Sequence, residues 1–105
     1  MSLKKVQDDV DKWTSQFTPQ YWPPYEILAR LTEETGELAR EVNHLYGTKK
    51  KKDGEQENSL GQELADIIFT VACMANSQGI DLSKEWERMM NEKHYGRDNN
   101  RYTKK

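Results

Sequence analysis

Apolar residues recur every three or four positions along most of this 105-residue chain, the period of amphipathic helices rather than of strands. Leu3, Val6, Val10, Trp13 and Phe17 share one face of a first helix, which should end before Thr18-Pro19. Trp22-Pro23-Pro24 reads as a bend, because a residue before proline avoids the α region. Pro24 suits the first turn of a second helix. Its stripe is Ile27, Leu28, Leu31, Leu38, Val42 and Leu45, and it should run to about Tyr46 and stop at Gly47.

Thr48 to Asn58 has neither apolar residues nor periodicity and is read as a mobile loop within residues 47–58. Ser59 followed by Gln62 is a capping box that sets the start of a third helix, and Gly79 closes it after Gln78. From Leu64 to Ala75 that helix is apolar on nearly every side, which predicts protein on every side of it. Four short helices can hardly enclose it, so a second copy of the chain is expected against it. A fourth helix starts near Asp81 or Ser83 and carries Trp86, Met89 and Met90; the tail from His94, basic over residues 96–105, is expected to be irregular. The pattern predicts an all-α, four-helix bundle-like single domain completed by dimerisation.

Charge changes this picture more than composition does. The net formal charge is only -2, yet residues 26–46 hold five acids against two bases, and residues 59–78 hold Glu63 and Asp66 with no base. Residues 79–105 hold five acids and seven bases. The N-terminus has charges where a signal peptide needs an apolar core, and no run approaches the roughly 20 apolar residues of a membrane span. The single cysteine, Cys73, excludes an intramolecular disulfide and fits a reducing cytoplasm. The run Lys49–Lys52 is followed by three acids without interleaved aromatic residues, which argues against a nucleic-acid surface and for a solvated loop.

The acids themselves are the candidate chemistry. Glu34 and Glu37 lie three apart on the second helix, and Glu63 and Asp66 three apart on the third. Like charges at helical spacing repel by a few tenths of a kcal/mol per pair. Ionised carboxylates beside an apolar run such as Leu64, Ile67 and Ile68 are costly unless paired or coordinated. With no base on the third helix, the counter-charge is expected from a cation, and oxygen-only donors favour Mg²⁺ or Mn²⁺ over zinc. Glu33 is a neighbouring candidate, and Glu41 is expected at the surface.

Glu33-Glu34-Thr35-Gly36-Glu37-Leu38 followed by Glu63-Leu64-Ala65-Asp66 resembles the EExxE…ExxD signature of MazG-like nucleotide pyrophosphohydrolases, in particular their small single-domain members. The resemblance covers the two central helices well and the fourth helix and tail loosely. It implies Mg²⁺-dependent hydrolysis of a nucleoside triphosphate, NTP or dNTP, to the monophosphate and pyrophosphate by metal-activated water. It also implies Glu34, Glu37, Glu63 and Asp66 as metal ligands, Glu33 and Glu37 as catalytic acids with Glu33 aiding the ligands or positioning water, and a homodimer or dimer of dimers. Asn91, Lys93 and Arg97 match the family's Asn-x-Lys…Arg segment and become the phosphate-binding candidates.

Trp13 and Tyr46 flank the acidic helix in the order that related all-α pyrophosphatases use, which makes them base-binding candidates; a core role for Trp13 is the competing reading. His44 and His94 are isolated and receive no catalytic role. Two alternatives stand beside the leading one: a related enzyme acting on phosphoribosyl-ATP, and a non-catalytic helical dimerisation module that binds metal or nucleotide.

Overall fold

The structure, a computed structural model, describes residues 1–48 and 59–105. The expected loop therefore lies outside the described residues except for Gly47 and Thr48, and so does Lys49–Lys52. Among the described residues every regular element is helical: α1 (Leu3–Thr14), α2 (Pro24–Tyr46), α3 (Leu60–Ser77) and α4 (Leu82–Arg88), the last continuing directly as a π-helical segment over Met89–Asp98. The chain is all-α, as its periodicity predicts.

Local chemistry fixes the helix starts. Ser2 accepts from the Lys5 N–H at 3.1 Å and caps α1. Ser59 accepts from the Gln62 N–H while the Gln62 side chain accepts from the Ser59 N–H, both at 2.9 Å, so the capping box of α3 is complete. Asp81 caps α4 through the N–H groups of Ser83 and Lys84. Gly79 follows α3 at φ +67°, a left-handed conformation that a side chain would strain.

Two boundaries differ from the sequence reading. α1 stops at Thr14, three residues before Phe17: the Thr14 hydroxyl bonds back to the Val10 carbonyl at 2.9 Å, and the Phe17 N–H closes a tight turn onto the Thr14 carbonyl. The tail is helical to Asp98, in the wider π form. A Cβ at Gly96 would come within 2.9 Å of the Asn91 carbonyl oxygen, five residues earlier, so a glycine suits that turn.

α3 packs against both α1 and α2, and α4 against α1. A polar staple holds the far end of α3 to α1. Gln7 donates to Asn76 Oδ1 and to the Ile80 carbonyl, both at 2.8 Å, and accepts from the Leu82 N–H at 2.9 Å. Asn76 donates to the Gln7 carbonyl and to Tyr21 Oη, and Tyr21 donates to Asp11 at 2.7 Å. Burial pushes the Tyr21 hydroxyl above its ordinary pKa, which keeps it a donor. The staple sets α1, and with it Trp13, over α3.

The apolar core is small: Val10, Ile27, Ala72 and Ala75. On α3, Leu64, Ile68, Phe69 and Val71 are each more than a third exposed, so one chain does not cover the all-round apolar helix. No helix of the described residues is long and apolar enough to cross a membrane.

Candidate active site

Helical phase decides which acids turn inward. Successive residues are about 100° apart on a helix, so Glu33 and Glu34 cannot face the same neighbour. Glu34 is the one that packing hides: it is 3% exposed, whereas Glu33 and Glu37 are exposed. Glu41, two turns further along the same face, is buried as well, which corrects the expectation of a surface position. On α3, Glu63 is 1% exposed and Asp66 is exposed. Arg40, Glu41 and Glu63 are all engaged in contacts.

Glu34 is held from two directions. Thr70 Oγ1 donates to Glu34 Oε1 from α3, and Arg30 Nε lies 3.5 Å from the same oxygen from one turn earlier on α2. The Asp66 carbonyl lies 3.1 Å from the same hydroxyl as a competing acceptor, so Thr70 Oγ1 sits between Glu34 and the turn that carries Asp66.

A cavity of about 540 Å³ is lined by Glu34, Asp66, Thr70 and Arg30 and by the aromatic rings of Trp13, Phe17, Trp22 and Phe69. Its volume lies in the range of small-molecule sites. Trp13 stands 4.9 Å from Phe17 and 5.9 Å from Phe69 between ring centroids, yet remains 55% exposed. It is a wall residue rather than a core residue. Cys73 lines the cavity, and burial first and the Glu34 charge second push its thiol above the ordinary range. That disfavours the thiolate and leaves Cys73 a poor nucleophile.

The remaining sequence candidates stand elsewhere. Tyr46 lies twelve residues beyond Glu34, about 18 Å along the helix axis at 1.5 Å per residue, and does not line the cavity. Asn91, Lys93 and Arg97 sit on the π-helical segment, outside the cavity wall. Arg97 is committed to Asp98, Nε to Oδ1 at 3.1 Å, with Arg101 at 3.4 Å and His94 at 3.8 Å from the same carboxylate. Arg97 and Arg101 hold the Asp98 carboxyl below the usual carboxylate range, the Arg97 hydrogen bond contributing most.

Among the described residues, no three histidine, cysteine or acid side chains already converge on one point suited to a metal ion. The donor chemistry nevertheless fits a hard divalent cation. Its acids are carboxylates, with Glu34 and Asp66 lining the cavity and a deeply buried third, Glu63, one turn from Asp66, while the raised pKa of Cys73 disfavours the thiolate that a softer metal would take. Sequence reasoning missed Thr70, Arg30, Phe17 and Phe69. Arg30 was signalled by its i,i+4 spacing to Glu34; Thr70 sat inside an apolar run with nothing to single it out.

The family model of the MazG nucleotide pyrophosphohydrolase domain matches residues 23–102. The chain belongs to that family. YpjD of Bacillus subtilis is 45% identical over 104 residues, covering 99% of this chain and 93% of the relative. YvdC of the same organism is 32% identical over 84 residues, covering 70% and 79%. The crystal structure of YpjD superposes with a TM-score of 0.78 at 44% identity, over 90% of this chain and 96% of that one. A Bacillus MazG protein described as a nucleotide pyrophosphohydrolase superposes with a TM-score of 0.75 at 44% identity, over 90% of each chain. Membership makes this MazG-family chain a hydrolase of the nucleotide pyrophosphohydrolase type.

Proposed function

We propose that the chain hydrolyses a nucleoside triphosphate to the monophosphate and pyrophosphate in a Mg²⁺-dependent reaction, with Mn²⁺ as a substitute ion. The observation that carries this reading is that aromatic rings and carboxylates line one cavity together. A nucleotide joins the matching groups, a flat base with π faces and a phosphate chain that arrives with its cation. Trp13 stacks the base in this reading. Glu34, Glu37, Glu63 and Asp66 hold the ion, and Glu33 assists by positioning water. When bound, the ion supplies Lewis acidity and neutralises charge on the phosphoryl oxygens.

Asn91, Lys93, Arg97 and Tyr46 lie off the cavity of their own chain, so a role for them at the phosphates or base depends on a second copy. Two observations support one. The exposed Leu64, Ile68 and Val71 of α3 lie side by side on adjacent turns, and the radius of gyration, 17.3 Å, exceeds the roughly 13 Å of a compact domain this long. We therefore assign the working form to a homodimer or a dimer of dimers in the cytoplasm.

The test is a panel of canonical and modified NTPs, with phosphoribosyl-ATP included, incubated with Mg²⁺ and assayed for pyrophosphate. Pyrophosphate rather than orthophosphate is the expected product. No release from any nucleotide, with Glu37→Gln and Asp66→Asn binding Mg²⁺ like the unaltered protein, would sink the proposal. A monomer in sedimentation at micromolar concentration would refute the dimer.

A further inference from the structure

Glu34 is a buried acid that lines the cavity. Both groups that reach it, the Thr70 hydroxyl and the Arg30 guanidinium, approach Oε1; among the described residues nothing donates to Oε2. One carboxylate oxygen is thus anchored and the other left for a further partner, on a residue that lines the cavity. Arg30 is a loose anchor, with its side chain 55% exposed and its Nε at 3.5 Å. Thr70 is a firm one, 5% exposed and fixed by α3.

A threonine hydroxyl carries one proton, and here two acceptors compete for it, the Glu34 carboxylate and the Asp66 carbonyl. The bond to a charged acceptor is the stronger. The Asp66 carbonyl lies in the helix interior and already accepts from its own helix. A Thr70 occupied only with back-bonding would leave Glu34 to Arg30 alone. Seated between the two, the hydroxyl ties a carboxylate on α2 to the turn of α3 that carries Asp66.

We propose that Thr70 is a positioning residue for the metal site. Resting on the function proposed above, its hydroxyl fixes the Glu34 carboxylate so that Oε2 and the Asp66 carboxylate meet one divalent cation. It acts through Glu34 and touches neither ion nor nucleotide. Outer-sphere partners of metal ligands commonly govern affinity in this way, because an unheld carboxylate must be ordered when the ion binds.

The experiment measures Mn²⁺ binding to the nucleotide-free protein by electron paramagnetic resonance titration, for the unaltered chain, Thr70→Val and Thr70→Ser. Valine keeps the volume and loses the hydroxyl, and should raise the Mn²⁺ dissociation constant by about 10- to 100-fold. Serine restores the donor and should stay within about threefold. On a Glu34→Gln background, Thr70→Val should add almost nothing, since the partner it acts through has lost its charge. In turnover, Thr70→Val should raise the Mg²⁺ concentration needed for half-activation by a similar factor and leave the nucleotide KM at saturating Mg²⁺ unchanged.

Circular dichroism establishes folding, and Thr70→Ala takes the same measurement if the valine variant does not fold. Unaltered Mn²⁺ binding by the hydroxyl-free variant overturns the role of Thr70 alone. Equal losses from valine and serine overturn it too, because volume or packing would then be the cause. Absence of Mn²⁺ binding by the unaltered protein overturns the metal-site reading, and the role of Thr70 with it.

Discussion

Replacing Trp13 by alanine separates what this ring does for binding from what it does for folding. Trp13 is 55% exposed, so a little under half of its surface is hidden without any ligand. An aromatic side chain buries about 150–250 Å² when fully enclosed; somewhat under half of that, at about 25 cal/mol per Å², makes the hidden part worth about 2 kcal/mol. For a domain of this size that lowers the melting temperature by about 8–16 °C. Phenylalanine keeps a ring against Phe17 and Phe69 and should cost less than half as much. In the proposed function the exposed half is the surface offered to the base. Base–aromatic stacking is worth about 1–3 kcal/mol by alanine substitution, so kcat/KM should fall by about 5- to 150-fold. Stacking acts on bound substrate and transition state alike, which places the loss in KM rather than kcat. The assay is pyrophosphate release from the best triphosphate, run well below the melting point of the alanine variant. A kcat/KM within about twofold of the unaltered enzyme, with the protein folded, would refute the stacking role, because even weak base–aromatic stacking is worth more than that.

Cys73 offers a label-based check of the same cavity, since it is the single thiol. Its raised pKa predicts slow alkylation at neutral pH that accelerates only above the ordinary cysteine range, and protection by Mg²⁺ with a non-hydrolysable nucleotide, both read by mass spectrometry. Ser59→Ala removes the hydroxyl that accepts from the Gln62 N–H at the start of α3 and should destabilise by about 1 kcal/mol, a fall of about 4–8 °C in melting temperature; an unchanged melt would show that this cap is dispensable. Asp98, with its pKa depressed by Arg97 and its neighbours, adds stability that is present above the unfolded-state pKa and lost as pH falls through the lower folded one. An NMR titration should therefore place its midpoint below ordinary aspartate, and Asp98→Asn should flatten the acid limb of the stability profile.

Sequence was most legible where a few neighbouring residues decide the outcome. Ser59 with Gln62, Pro24 and Gly79 marked ends of α2 and α3 because capping and φ preference are local. Periodicity located the stripes but could not say what covers them. It therefore left Trp13 divided between core and platform, and only the polar staple from Gln7 to Asn76 decides the matter by setting α1 over α3. Glu41 was misread for the opposite reason. Its spacing of seven from Glu34 was visible, but a charged side chain looks like surface until a partner helix is placed against it. Asn91, Lys93 and Arg97 matched a spacing, and spacing along one segment carries no information about which cavity it faces.

The buried inventory makes a case for function that the motif does not. Among the described residues four apolar ones are buried, against six polar ones, and three of the six, Glu34, Glu41 and Glu63, are acids on the two central helices. Removing a carboxylate from water costs several kcal/mol even after relaxation, so a chain shaped for stability alone would place leucines there. Such conflicts between local and global preference concentrate at functional sites. Thr70 and Arg30 offset the cost at Glu34, and a divalent cation would offset it across the helix pair. That reasoning has a thermodynamic consequence separate from turnover: an ion bound only by the folded chain stabilises it by about 2.7 kcal/mol at a hundredfold excess over its dissociation constant. Differential scanning calorimetry with Mg²⁺ against EDTA should then show a melting temperature higher by about 10–20 °C. The gain should shrink in Asp66→Asn and nearly vanish in Glu34→Gln. Equal melting temperatures with and without the ion would mean that the buried acids are neutralised from within the protein, and that their charge serves the fold rather than a metal.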